Sequence, residues 1–318
     1  MLTVGSIYET AIIFGMAADP RGEKDAKREL ERVKKRYKGL KKDEKEEFDK
    51  QKLKNPYADT RILYGDEKRV VERILVGIDM EIGEVLLADR LREKGKTIDL
   101  IISHHPEGYA LTSFYEVMHM QADVLNKYGV PINIAEGVLK ERIQEVERKV
   151  MPVNYNRAVD VARLFDIPFI CVHTPCDNLV TAFLQKLFDK AKSETIKDII
   201  NELKDIPEYK QAVQDNAGPK ILVGSEDNRA GKIFVEMTGG TEGSKEAIEK
   251  LANAGVGTIV TMHYSDKLRK EAEKYHINIV VAGHMASDTL GLNLFLDKLT
   301  KKDNLEIIAC SGFRRIAR

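Results

Sequence analysis

The sequence predicts an α/β fold in which mostly parallel sheets are flanked by helices and arranged as two lobes. Three observations predict it. From about residue 72, short β-rich apolar runs alternate with amphipathic helical stretches. Runs such as TIDLIIS (97–103) and PFICVH (168–173) are continuously apolar, as strands covered on both faces are. The same alternation resumes in the last third of the chain.

The elements follow in order. Ser6 with Glu9 three residues on reads as a capping box, and Ile7, Ala11, Ile12 and Phe14 behind it as a buried helix that Pro20 closes. Residues 23–54 alternate Lys, Arg, Glu and Asp, with Leu30, Val33, Tyr37 and Leu40 as one narrow apolar stripe. That is a charged helical hairpin on the body, or else a partner-binding coiled coil. The segment NPYADTRILYGD (55–66) is polar and turn-rich, suggesting pocket or interface residues. Arg73–Asp79 predicts a strand, Glu81–Lys94 a helix and Thr97–Ser103 the next strand, a β-α-β unit. Helices fill 116–165, with Asn154 as a cap, before the strand Pro168–His173. A polar helical region spans 180–215, with Ser193 capping one helix and Pro207 opening another. Strands near 220–224, 232–237, 258–262, 277–282 and 305–310 then alternate with helices, one bracketed by Ser244 and Gly255. The expected division is an N-terminal lobe over 1–180, a helical connection over 181–219 and a C-terminal lobe over 220–318, with the site in the cleft between segments.

Lys plus Arg and Asp plus Glu each number 51, so charge points to no nucleic acid, anionic membrane or acidic partner. Cys171, Cys176 and Cys310 are odd in number and lie in or beside apolar runs, the pattern of buried thiols in a reducing compartment. No stretch approaches the roughly 18 apolar residues of a membrane span, and the N-terminus carries no signal pattern, so the expected location is cytoplasmic.

The chemistry gathers at strand ends, where open α/β sheets place their ligands. In DLIISHHP the strand stops at His104 and His105, and Pro106 keeps His105 extended. Adjacent extended residues point to opposite sides, so the two imidazoles are expected to diverge and serve two ions. In HTPCD, His173 ends a strand and Asp177 falls in the following turn, the carboxylate ligating with His173 as a ligand or a supporting donor. In GHMASD, His284 and Asp288 stand four apart at a helix start, on one face. Imidazole and carboxylate suit Zn, Mn, Fe, Co or Ni, and the one nearby thiol is Cys176. Two such ions about 3.5–4 Å apart can share and activate a water. His263 follows a strand and is expected to line the pocket, whereas His119 and His276 fit helical or surface patterns. The loop TGGTEGS offers the amides of Gly239, Gly240, Thr241, Gly243 and Ser244 to an anion, or is a plain βα turn, and it lacks the lysine of a P-loop.

At these residues the chain resembles the Nif-three-like family, named for a yeast transcription-factor interactor and also described as GTP cyclohydrolase type 2-like. The resemblance runs through VGIDMEIGEVLLADRL, ISHHP (102–106), HTPCD (173–177) and GHMASDTLGLNLF from 283, covering roughly 70–180 and 220–318. It implies two metal ions, commonly in a ring-shaped hexamer. It carries metal binding onto His104, His105, Asp177 and His284, with the family's bridging glutamate at Asp288. The chain departs from that pattern in the shorter aspartate, in the charged hairpin and in the long helical insert between ISHHP and HTPCD. The function so implied is metal-dependent hydrolysis of a small heterocyclic or phosphorylated metabolite. The rival reading is a non-catalytic protein for metal binding, metal delivery or assembly.

Overall fold

The structure, a computed structural model, describes residues 1–301 and 303–318. Helix α1 (Val4–Ala17) begins one turn earlier than a cap at Ser6 would allow. Thr3 is the cap: its Oγ1 accepts from Ser6 N at 3.2 Å, and Ser6 Oγ accepts from Thr3 N at 2.7 Å. The charged hairpin is α2 (Glu23–Gly39) and α3 (Lys42–Glu47), followed by a 3-10 turn over Lys50–Leu53. Ala26 and Leu30 form its buried stripe. The polar segment that follows contains a strand, β1 (Thr60–Tyr64), which its Pro, Asp and Gly neighbours hid from sequence reading.

Strand β2 (Arg73–Gly77), helix α4 (Ile82–Glu93) and strand β3 (Leu100–Ser103) form the expected parallel β-α-β unit. The insert comprises α5 (Gly108–Thr112), a 3-10 turn over Phe114–His119, α6 (Met120–Lys127), α7 (Ile132–Val150) and α8 (Arg157–Leu164). The residue before α8 is Asn156, not Asn154. Strand β4 (Phe169–Val172) runs directly into α9 (His173–Ala191), so Asp177 lies on a helix rather than in a turn. Helix α10 (Ile196–Lys204) is capped by Thr195, whose Oγ1 accepts from Asp198 N at 3.4 Å. Ser193 instead bonds the Glu202 carboxylate. Pro207 opens α11 (Pro207–Gln214), as its fixed φ favours.

The second sheet comprises β5 (Lys220–Val223), β6 (Lys232–Glu236), β7 (Val256–Thr261) and β8 (Asn278–Val281). Helices α12 (Glu246–Asn253) and α13 (Asp266–Lys274) connect its strands. After β8, α14 (His284–Thr300) leads to β9 (Glu306–Ala309). Strand β9 pairs with β2, giving a first sheet of order β1-β4-β3-β2-β9 and a second of order β5-β8-β7-β6. The sheets therefore do not follow a chain division at residue 220. Both are mostly parallel, with β1 and β5 as antiparallel edges.

Two helices belong to both cores. Cys176 and Leu179 of α9, with Leu292, Phe295 and Leu296 of α14, pack against Ile74, Val76, Ile102 and Ile170 of the first sheet. Val180, Leu184 and Phe188 of α9, with Ala286 and Leu290 of α14, pack against Val235, Val260 and Val280 of the second. A helix apolar on two faces is a buried one. Thus α9 and α14 form a shared inner layer, and their first turns meet beside the ends of β3 and β4. Helices α4 and α8 cover the outer face of the first sheet, and α6, α7, α12 and α13 that of the second.

Candidate metal centre

Main-chain bonds extend the β2–β3 pairing past its strand ends, with His104 N donating to Gly77 O at 3.0 Å and His105 N to Ile78 O at 2.9 Å. This fixes the two imidazoles where α9 and α14 begin. Gly283 supplies the turn into α14 at φ 116°, and a Cβ there would sit 2.8 Å from Ala217 O, so only glycine fits.

The two imidazoles do not diverge. Their rings lie 5.3 Å apart at 43°, and each reaches a different oxygen of one carboxylate. His104 Nε2 is 3.4 Å from Asp288 Oδ1 and 3.3 Å from Asp177 Oδ1. His105 Nε2 is 3.4 Å from Asp288 Oδ2, and His284 Nε2 is 3.3 Å from that same oxygen. Strand alternation fixes only where Cβ starts. Asp79 Oδ1, 2.6 Å from His105 Nδ1, anchors the far side of the ring with Nε2 toward Asp288.

His173 completes the cluster, its Nε2 3.6 Å from Asp177 Oδ2 and its ring 5.0 Å from that of His104. Among the described residues, three donor groups have their ligand atoms within 4.8 Å: His104, Asp177 and Asp288; His105, His284 and Asp288; and His104, His105 and His173. Cys176 is buried beside His104, with its thiol pushed up by burial despite the imidazole. His263 is exposed at the rim, its ring 5.0 Å from that of His284. His119 and His276 stand outside all three groups.

The donor set fits a divalent cation. Both ring nitrogens of His104, Oδ1 of Asp177 and both oxygens of Asp288 are buried without a hydrogen-bond partner, although such atoms are costly to bury unpaired. The protein alone compensates with protons. Burial pushes His104 and His105 down, but Asp288 with Asp177 raises His104 well above its ordinary value, and Asp288 with Asp79 brings His105 to about 9. Asp288 is itself held low: burial raises it, and His104, His105 and His284 outweigh that. A cavity of about 630 Å³ borders the cluster at His284 and continues past Met285, Thr289, Phe313 and Arg314, giving room for a small molecule.

Sequence reading missed Asp59 and Asp79, which sit opposite His173 and His105. Asp79 closes a predicted strand and Asp59 lies in the segment 55–66, but pairing register is what makes them partners of histidines.

The glycine-rich loop is separate from the cluster. Gln121 Nε2 donates to Gly239 O and Thr241 O, both at 2.7 Å, and Gly239 and Gly240 hold φ of 95° and 88°. An anion at Gly239, Gly240, Thr241, Gly243 and Ser244 would meet the Glu246 carboxylate, already bonded by the Ser244 hydroxyl, and Glu236 and Glu242 nearby. Burial, with Glu242 adding to it, raises Glu236 to about 7. A carboxyl with a raised folded pKa favours the fold fully below its unfolded value, near 4.5, and loses that contribution as pH rises through about 7. Glu236→Gln is therefore expected to be more stable than wild type at pH 8, by about 1–3 kcal/mol, and equal to it near pH 4.5. Urea midpoints of both proteins across that range test this, and a gap that does not widen with pH refutes it.

Fold and site together define an α/β protein with histidine and aspartate groups able to hold metal. No family model matches the sequence, and neither does any curated protein. Among solved structures the chain is similar to the NIF3 superfamily protein from Sphaerobacter thermophilus, at 25% identity over 80% of this chain and 92% of that one, with a TM-score of 0.70. It is also similar in fold to reduced HcgD from Methanocaldococcus jannaschii, at 14% identity over 79% and 88% of the two chains, with a TM-score of 0.50. The chain has the NIF3-like fold.

Proposed function

We propose that this protein holds two divalent ions and uses them to hydrolyse a small heterocyclic or phosphorylated metabolite, in the manner of the GTP cyclohydrolase type 2-like proteins it resembles. One observation carries the reading. Asp288 offers Oδ1 to the His104 and Asp177 side and Oδ2 to the His105 and His284 side, so two three-donor groups share one carboxylate. The shorter aspartate can therefore still bridge. When bound, a pair of Zn, Mn, Fe, Co or Ni ions supplies Lewis acidity and an activated water. The chain supplies the ligands, keeps the deeper set dry and opens the His284 side to the cavity.

The alternative is metal delivery or a metal-bearing scaffold. It draws on the exposure of the His284 side chain, 41% against 1% for His104 and Asp288, which makes the outer ion the exchangeable one. The reading also makes the protein a cytoplasmic homo-oligomer, hexameric by resemblance, which sedimentation measures. No helix among the described residues is long and apolar enough to cross a membrane.

Elemental analysis of the purified protein, followed by a screen of the loaded protein against nucleotides, phosphoesters and cyclic amides, tests the proposal. Two ions per chain and turnover of one class are expected. Tightly held ions without turnover would sink the hydrolase and leave a structural metal centre. Rapid transfer of one ion to an apo acceptor would favour delivery.

A further inference from the structure

Sheet register places two carboxylates opposite two of the histidines. Strands β1 and β4 pair antiparallel with Thr60 against Val172, so one step outward sets Asp59 against His173. Strands β2 and β3 pair parallel with Gly77 against Ser103, so two steps outward set Asp79 against His105. The side chains meet in both places, Asp59 Oδ2 lying 2.7 Å from His173 Nδ1 and Asp79 Oδ1 2.6 Å from His105 Nδ1.

The two pairs differ in burial. Asp79 is 55% exposed, whereas the Asp59 side chain is wholly buried, and Thr174 Oγ1 donates to the same Asp59 oxygen at 2.6 Å. That oxygen already accepts from the Thr174 hydroxyl, so it faces His173 as an acceptor too, and the N–H of the shared bond is that of His173 Nδ1. This turns Nε2 of His173 toward the cluster, 3.6 Å from Asp177 Oδ2 and within the donor group of His104 and His105.

We propose that Asp59 is a positioning residue of the metal centre: it fixes His173 in the tautomer that presents Nε2, and so makes His173 a ligand to the ion held by His104 and Asp177. The inference rests on the metal-centre reading above. Carboxylates behind ligating histidines set ring orientation and basicity, and their loss typically costs about 10- to 100-fold in metal affinity. Asp59→Asn is expected to weaken zinc binding at the deeper site by about that factor. Asp79→Asn is expected to weaken binding less, because water can replace an exposed acceptor.

The experiment is zinc titration of the full chain as wild type, Asp59→Asn, His173→Ala and the double variant, with ¹⁵N chemical shifts of His173 read in parallel. If Asp59 acts through His173, the double variant binds zinc no more weakly than His173→Ala alone. The wild-type ring is expected to show a protonated Nδ1, and Asp59→Asn a tautomer mixture. Additive losses, or unchanged affinity and shifts in Asp59→Asn, would overturn the proposal. Wild type that binds no zinc would instead defeat the metal-centre reading itself. Should Asp59→Asn not fold, Thr174→Val, which frees the carboxylate on one side, is expected to weaken zinc binding in the same direction by a smaller factor. Unchanged affinity in that variant would count against Asp59.

Discussion

Asp288→Ala is expected to bind at most one zinc ion per chain, and that one more than 100-fold more weakly than wild type. Three imidazoles converge on this single carboxylate, His104 on Oδ1 and both His105 and His284 on Oδ2. It is fully buried, and neither oxygen has another partner among the described residues. Changes one shell further out already cost about 10- to 100-fold, so loss of a shared ligand must exceed the upper end of that range. Asp288→Asn separates charge from shape. Its amide keeps one oxygen, so it is expected to hold a single ion and lose the second. Stoichiometry by elemental analysis and affinity by competition with a chelator measure both variants. Two ions retained in Asp288→Ala would show that the carboxylate is not shared.

Gly291→Val is expected to lower stability by about 3 kcal/mol and to disturb metal binding without touching a ligand. A Cβ at Gly291 would lie 2.6 Å from Cys176 O, a backbone atom of α9 that has no rotamer with which to retreat. Gly291 is three residues from Asp288 on α14, and Cys176 adjoins Asp177 on α9, so helices pushed apart here would draw their carboxylates apart as well. A loss of this size corresponds to a fall in Tm of roughly 4–5 °C for a chain of this length. The control is Gly137, exposed within α7, where a Cβ meets nothing within 4 Å. Gly137→Ala is expected to be neutral or to stabilise by about 0.5–1 kcal/mol. A Gly291 variant with wild-type Tm and zinc affinity would mean that the crossing of α9 and α14 is not what aligns the site.

Much of the site was legible because its histidines follow strands, and strand ends can be read from apolar runs. His104, His105, Asp177, His284 and Asp288 lie near one another in the structure. What sequence could not supply was rotation and register. Alternation gave the imidazoles of His104 and His105 opposite departures, yet both turn to Asp288. Asp59 could not be matched to His173 before β1 was known to pair antiparallel with β4, and β1 itself was masked by the turn residues around it. The caps show a smaller failure of the same kind: Ser6, Asn154 and Ser193 are good capping residues near helix starts, but Thr3, Asn156 and Thr195 occupy the boundaries. The return of β9 to the first sheet is a long-range pairing for which local pattern carries no signal.

The inner layer of α9 and α14 bears on how the chain could be divided. Cutting after residue 219 would take α14 and β9 from the first sheet, laying bare the greasy surface that Leu292, Phe295, Leu296 and Leu299 now shield. The other fragment would lose α9 and α10 and keep only the α14 side of the cover over Val235, Val260 and Val280. Neither piece would keep an intact interior, so that junction is no seam along which evolution or an engineer could trim the molecule to a working half.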